Sequence, residues 1–134
     1  MAKPETVVDL AWVDDLRFAA SSSGVTMTLD GDSKAGPSPV QALAFALAGC
    51  MSADIVHILL RARHPLHALR AHLVGHRAKA DPHRFVGIEL HLTLEGAVPS
   101  GAVARAIGLS REKYCSVWHS MRQDIDFQVT FDVV

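Results

Sequence analysis

The sequence predicts an α+β domain with antiparallel sheets and one long buried central helix. Segments in which apolar and polar residues alternate occur in groups near the start, in the middle and at the end of the chain, as strands of hairpins do. Between them, residues 39–60 are apolar nearly all round, a pattern typical of a buried core helix. The length of 134 residues suits a single domain over residues 1–134. Strands in hairpin groups, interrupted by helices, describe the α+β class.

The first part of the chain predicts a hairpin and then the long helix. Residues 7–12 and 25–29 alternate as strands do, and a Ser-Ser-Ser-Gly turn lies between them. After a loop rich in Asp and Gly, Ser38 is a good N-cap and Pro39 a good first helical residue. The helix is expected to end near Arg63, because a proline follows two residues later.

The second part predicts a hairpin, two helices and a last strand. Residues 66–80 and 84–95 are expected strands, separated by an Asp-Pro-His turn. A short helix is expected from Pro99 to a stop at Gly108. Ser110 is the predicted N-cap of the next helix, which carries an apolar stripe of Tyr114, Val117, Trp118 and Met121. Residues 125–133 alternate again and predict a strand.

Composition excludes several classes of protein. With 49% hydrophobic and 20% charged residues, the chain is a normal folded protein and not a disordered one. A net charge of -1 argues against nucleic-acid binding. The N-terminus shows no signal peptide, and Asp54 and His57 inside the apolar run argue against a membrane span, so a cytoplasmic location is expected. Two cysteines are too few for a disulfide scaffold.

Cys50 lies in the middle of the long helix, on a polar stripe. Asp54, His57 and Arg61 follow it at helical spacing, all within ~40° of its direction. A free cysteine is most often a small buried hydrophobe, but a core face would not need Asp and His. A reactive thiolate would also need a cation to offset the Asp54 carboxylate, with Arg61 or His57 as candidates.

Cys115 follows the predicted Ser110 cap by five residues, so it is expected near the start of a helix. The positive end of a helix favours a thiolate, and Arg111 and Lys113 are nearby cations. A buried thiol beside Tyr114 and Trp118 is the other interpretation. Two cysteines near polar features suggest a redox pair, but spacing alone does not show that they meet.

Two cysteine motifs carry a family resemblance. The stretch GPSPVQALAFALAGCMSADIV, residues 36–56, resembles the first cysteine signature of OsmC/Ohr-type proteins. The stretch LSREKYCSV, residues 109–117, resembles the second cysteine motif of the OsmC-like branch. The likeness extends over nearly the whole chain. It implies an OsmC-like α+β fold in an intertwined homodimer with sites at the subunit interface.

The resemblance also implies an activity. Well-characterised members are antioxidant thiol peroxidases that reduce organic hydroperoxides under oxidative stress. Carried over, Cys50 is the peroxidatic cysteine and Cys115 the resolving one, forming a Cys50–Cys115 disulfide. An external thiol, in the family a lipoyl-type reductant, then restores the thiols. No cofactor and no metal are implied.

The sequence departs from the family pattern at the carboxylate that pairs with an N-terminal arginine. The two positions where relatives have Glu are Val40 and Gln41 here. Arg17 is the candidate for the arginine. A redox-active but weakly peroxidatic protein that binds a small apolar ligand is therefore the alternative.

Two further hypotheses about function have less support. A metal site could draw on Cys115 with His119, Cys50 with His57, or the pair His72 and His76, but no CxxC or HExxH spacing exists. Hydrolysis has no GxSxG motif to support it.

Overall fold

The computed structural model describes residues 5–134. Their elements, in chain order, are β1 (Asp9–Asp14), β2 (Arg17–Ser22), β3 (Val25–Asp30), α1 (Pro39–Arg61), β4 (Leu66–Arg77), β5 (Phe85–Gly96), α2 (Ser100–Leu109), a π-helical turn (Ser110–Tyr114), α3 (Ser116–His119) and β6 (Asp126–Val133). The chain divides into two compact units, one ending at Leu43 and the other covering Ala44–Val134. The prediction that residues 1–134 form one domain stays a prediction.

The first unit contains a three-stranded antiparallel sheet in the order β1-β2-β3. The sequence predicted one hairpin, with the first and third of these strands as its arms, and this is wrong. The strand β2 lies between them, and its Phe18 pairs with Trp12 on one side and with Leu29 on the other. The small residues Ala19 to Ser22 give β2 too weak an apolar alternation to predict a strand.

Helix α1 begins in a capping box, a reciprocal pair of hydrogen bonds at its N-terminus. The Gln41 backbone N–H donates to Ser38 Oγ at 3.1 Å, and the Ser38 N–H donates to Gln41 Oε1 at 3.0 Å. The Ser33 hydroxyl also donates to Gln41 Oε1. The predicted start of the helix is therefore confirmed. The helix ends at Arg61, and Arg63 adopts a left-handed conformation with φ 62° before the chain turns into β4.

Helix α1 is buried along one stripe only. Leu47, Met51, Ile55 and Leu59 are at most 1% exposed and belong to the core. On other faces Phe45 is 70% exposed. By length and composition alone α1 would also suit a membrane span. Its buried stripe packs into the core of the second unit, as expected of a core helix, but much of its apolar surface is left uncovered within one chain.

The second unit contains a three-stranded sheet in the order β4-β5-β6. Strands β4 and β5 form the predicted hairpin, and β6 is the predicted last strand. The predicted antiparallel pairing is confirmed there, but β6 runs parallel to β5, because helices connect the two and bring the chain back to the same end of the sheet. The buried face of β5 carries Ile88, Leu90, Leu92 and Leu94.

The connection between β5 and β6 differs from prediction. The chain stays helical through Gly108 and runs from α2 directly into the π-helical turn, so the expected stop at Gly108 and the N-cap at Ser110 are wrong. Ser110 is fully buried, and its hydroxyl bonds to another element instead of capping a helix. The extended residue Cys115, with φ −72° and ψ 97°, begins the short helix α3 in its place.

Candidate redox site

Both cysteines are free thiols, and the fold brings them together. The Sγ atoms of Cys50 and Cys115 and a carboxylate oxygen of Asp54 all lie within 4.8 Å of one another. Cys50 and Asp54 come from α1, and Cys115 comes from the junction of the π-helical turn and α3. The sequence analysis singled out all three residues, and the structure supplies the proximity that spacing alone did not show.

Cys50 is the more accessible of the two thiols. It is partly buried and packs against the core at the edge of the buried stripe of α1. One helical turn later, Asp54 points its carboxylate to the same place. The next members of the predicted polar stripe differ: His57 lines an open groove, and Arg61 is exposed. The carboxylate is therefore the stripe residue that joins Cys50 in this cluster.

Cys115 is completely buried and is the N-cap of α3. Its Sγ accepts a hydrogen bond of 3.4 Å from the backbone N–H of Trp118. Burial raises the pKa of the Cys115 thiol to about 11, and the Trp118 N–H opposes this while Cys50 and Asp54 raise it further. At neutral pH Cys115 is therefore a protonated thiol, contrary to the thiolate that a helix start suggested.

A hydrogen bond that the sequence did not predict holds the carboxylate. The buried hydroxyl of Ser110 donates to Asp54 Oδ2 at 2.8 Å. In the sequence, Ser110 lies at the boundary between two predicted helices. That position also suits an N-cap, which is the role predicted for it above. The bond links α1 to the π-helical turn on the N-terminal side of Cys115.

The two cations expected near Cys115 lie over aromatic rings. The Arg111 guanidinium carbon is 4.9 Å from the centroid of Phe127 and 5.8 Å from that of Trp118. The Lys113 ammonium is 5.4 Å from the centroid of Tyr114. Such contacts stabilise a cation over a ring face. They offer the arginine and lysine an alternative to pairing with the thiols.

Arg17 lies in the first unit, at the start of β2. Its Nε donates to Asp14 Oδ1 at 2.5 Å and its Nη2 donates to Asp14 Oδ2 at 2.6 Å, a two-pronged ion pair. A weaker contact of 3.4 Å reaches Asp15 Oδ2. The guanidinium thus has a carboxylate partner at the end of β1, although the position expected to supply one is Val40.

Val40 and Gln41 lie in the first turn of α1. The Gln41 side chain is used in the capping box, where its oxygen accepts from Ser38 and Ser33. A glutamine therefore performs the structural role that a glutamate at the same place would perform. It supplies no charge.

The same three groups are the ones that could hold a metal ion among residues 5–134. Two thiolates and a carboxylate would suit Zn²⁺. None of the histidines named as possible ligands belongs to this group. His119 instead has its Nε2 3.0 Å from the carbonyl oxygen of Arg111, a hydrogen bond to backbone.

An open groove runs beside the second half of α1 and the start of β4. Its volume is about 670 Å³. Most of its lining is apolar, with two histidines: Ser52, Ala53, Val56, His57, Leu60, Leu66, His67, Ala68 and Leu69.

Comparison with known sequences gives one family. The family model described as "OsmC-like protein" matches residues 30–130. Protein YhfA of Escherichia coli K12 is 35% identical over 126 residues, which cover 92% of this chain and 94% of YhfA.

Solved structures share the same fold. A hypothetical protein of Aquifex aeolicus superposes with a TM-score of 0.91 at 25% identity, covering 98% of both chains. An organic hydroperoxide resistance protein OsmC of Legionella pneumophila superposes with a TM-score of 0.72 at 15% identity, covering 99% of this chain and 100% of that one.

Proposed function

Because this chain belongs to the OsmC-like family, we propose that it is a thiol-dependent peroxidase that reduces organic hydroperoxides through Cys50 and Cys115. The observation that carries the proposal is the meeting of two free thiols within 4.8 Å at positions far apart in the sequence. The Legionella protein with the same fold is named for organic hydroperoxide resistance.

The electrons of the proposed reaction pass between the two thiols, a peroxide and a reductant. The Cys50 thiolate attacks the hydrogen-bearing peroxide oxygen, the O–O bond breaks, and Cys50 becomes a sulfenic acid. The alkoxide that leaves takes a proton from water and becomes an alcohol. Cys115 then attacks the Cys50 sulfur, a disulfide forms, and water leaves. An external dithiol of the lipoyl type reduces the disulfide by thiol–disulfide exchange.

Burial supports the assignment of the two roles. Peroxide must reach the attacking sulfur, and Cys50 is partly exposed whereas Cys115 is 0% exposed. A buried thiol whose pKa is raised to about 11 is a poor first nucleophile at neutral pH. It suits the resolving role, in which the thiol stays protonated until an electrophilic sulfenic acid forms on Cys50 beside it.

We propose Arg17 as the cation that assists the attack of Cys50 on peroxide. Its two-pronged pairing with Asp14 fixes the direction of the guanidinium, a role that the family gives to a glutamate on the helix. Val40 provides no such carboxylate, and Gln41 is engaged in the helix cap. We therefore expect slow turnover that is limited by the attack of Cys50 on peroxide.

The second candidate is a redox-active protein that binds a small apolar ligand and turns over peroxide weakly. The groove beside α1 favours it, since about 670 Å³ of mainly apolar space is enough for a small molecule. His57 lies two helical turns after Cys50 and lines this groove. A ligand bound there would lie along the helix that carries the reactive thiol.

We also propose that the protein acts as a homodimer in the cytoplasm. Apolar side chains on the first sheet and on α1 lack cover within one chain, with Trp12 69% and Phe45 70% exposed. Uncovered apolar surface of this kind marks an interface. Two free thiols suit a reducing compartment.

The test is peroxide consumption by the purified protein with dihydrolipoamide as reductant. Cumene hydroperoxide should be consumed by the native protein, and Cys50→Ser should abolish consumption. In Cys115→Ser, Cys50 should still react with dimedone, which labels sulfenic acids, and should then over-oxidise. EDTA should change nothing, whereas a metal-dependent reaction would stop. Equal loss of labelling in both variants would contradict the assigned roles, and no consumption by the native protein would favour the ligand-binding candidate.

A further inference from the structure

Asp54 is the third member of the cluster and has no role in the chemistry described so far. Its carboxylate oxygen lies within 4.8 Å of both sulfur atoms. Ser110 donates to its Oδ2 at 2.8 Å, so the carboxylate is held in place from the side of the π-helical turn. Held by a hydroxyl and next to two thiols, this carboxylate is a candidate for proton transfer.

The resolving thiol needs a group that accepts its proton. Cys115 is fully buried, and its pKa of about 11 keeps it protonated at neutral pH. When it attacks the Cys50 sulfenic acid, its S–H bond must break. The groups that face it are Cys50 and Asp54 from α1 and the Trp118 N–H from α3. The Trp118 N–H can only donate, and Cys50 is then the electrophile.

Among residues 5–134, Asp54 is thus a base within reach of this thiol. We propose that Asp54 transfers the proton in disulfide formation, a role that rests on the proposed peroxidase function. As Cys115 Sγ bonds to Cys50 Sγ, the carboxylate accepts the thiol proton and delivers it to the departing hydroxide. One S–S bond forms, the S–O bond breaks, and water leaves. The carboxylate holds the proton only during this step.

Ser110 is the positioning residue for this step. Its hydroxyl bond limits the orientations of the Asp54 carboxylate, and it lies on the segment that leads to Cys115. Catalysis by a positioned base depends on geometry before it depends on pKa. Loss of the hydroxyl should therefore weaken the step without removing the base.

Asp54→Asn distinguishes this proposal from a purely electrostatic effect of Asp54, because the two predict opposite changes in the rate of disulfide formation. The negative Asp54 raises the pKa of Cys115, so its removal alone would make the thiolate easier to form and would speed disulfide formation. Removal of a base should instead slow it, by about 100-fold on the scale of general base catalysis. Asparagine keeps the shape of the side chain and an oxygen that accepts from Ser110.

The experiment follows one oxidation of the fully reduced chain by excess cumene hydroperoxide. Samples are quenched in acid, and the sulfenic acid and disulfide forms are counted by mass spectrometry. In Asp54→Asn, sulfenic acid should form no more slowly than in the native chain, because the Cys50 sulfur loses a nearby negative charge. Disulfide formation should be about 100-fold slower. The rate of disulfide formation in this variant should also become proportional to hydroxide concentration across neutral pH, because hydroxide must then remove the proton of the Cys115 thiol.

Two matched variants and one measurement on the native chain complete the test. Asp54→Glu keeps a carboxylate and should retain the native pH profile with a smaller loss of rate. Ser110→Ala should slow disulfide formation and leave the pH profile unchanged. For the native chain, a solvent deuterium isotope effect should appear on disulfide formation and not on sulfenic acid formation, which tests the proposal even if Asp54→Asn does not fold.

The outcomes distinguish this inference from the function on which it rests. Disulfide formation in Asp54→Asn at or above the native rate, with an unchanged pH profile, would overturn the role of Asp54 and leave the peroxidase assignment intact. Absence of a solvent isotope effect on that step would also overturn it. A native chain whose Cys50 forms no sulfenic acid would overturn both.

Discussion

The Ser110 hydroxyl reaches Asp54 across 56 residues of sequence and donates to its carboxylate at 2.8 Å. This bond joins the middle of α1 to the start of the π-helical turn, and each of those two elements leads to one of the cysteines. Ser110 is 0% exposed, so water does not replace the bond if it is lost. The bond therefore links the two cysteine-bearing parts of the chain through residues other than the cysteines.

Removal of this hydroxyl should cost stability. We expect Ser110→Ala to lower the free energy of unfolding by about 1–3 kcal/mol, because a partly buried carboxylate loses its hydrogen-bond donor. Urea unfolding of the reduced protein measures the change. Ser120→Ala is the matched control, since the exposed Ser120 hydroxyl donates only to the Ser116 carbonyl at 2.8 Å, and its loss should cost less. Equal effects of the two substitutions would contradict a special contribution from the Ser110 bond.

The reduced protein should lose stability in alkali. The Cys115 thiol has its pKa raised from 9.0 to about 11 in the folded state. A raised pKa contributes stability that is complete below the unfolded value and is lost as pH rises through the folded value. The free energy of unfolding should therefore fall between about pH 9 and 11, measured by urea unfolding with a reductant present. Cys115→Ala should remove that part of the pH dependence, and Cys50→Ala should leave most of it, because burial is its main cause.

The chain should be a dimer whose interface includes α1. Light scattering at micromolar concentration should give about twice 14.4 kDa. Phe45→Asp replaces a 70% exposed aromatic ring of α1 with a charged side chain and should shift the equilibrium from dimer towards monomer. Lys79→Asp, in the exposed turn after β4, is the control and should leave the dimer unchanged. A folded monomer at this concentration would refute the prediction.

A carboxylate at position 40 should speed the attack on peroxide. If Arg17 assists Cys50, Val40→Glu should raise the rate of sulfenic acid formation with cumene hydroperoxide, because misplacement of such a group can cost about 100-fold. Arg17→Ala should cancel the gain. Gln41→Glu is the control. Its side chain is held in the capping box, so a carboxylate there should leave the rate of sulfenic acid formation unchanged. No change with Val40→Glu, together with a silent Arg17→Ala, would exclude Arg17 from the site.

The sequence predicted most of the fold because its elements carry strong local signals. The alternation in β5 and β6 and the Ser38 cap of α1 are visible in the residues themselves. Strand β2 was missed because Ala and Ser give no alternation, and the parallel pairing of β6 was missed because it depends on the helical connection before it. Local pattern does not report long-range pairing.

The sequence predicted which residues form the site but not the contacts that they make. Helical spacing placed Asp54 beside Cys50, and the structure agrees. The bond from Ser110 to Asp54 could not be predicted, because it competes with a local use of serine as a helix cap and wins only through burial in the folded chain. The N-cap of α3 is Cys115 and not Ser110.

The parallel pairing of β5 with β6 sets an order of assembly. Strands β4 and β5 can form their hairpin as soon as Gly96 has been made, whereas Gly87 meets its β6 partner Asp126 only after the intervening helices exist. Contacts distant in sequence close late, because their loops lose more entropy on closing. We expect hydrogen-exchange pulse labelling during refolding to protect amides of β4 before those of β6. Cys115 lies in the connection between β5 and β6, so its burial should follow formation of the β4–β5 hairpin.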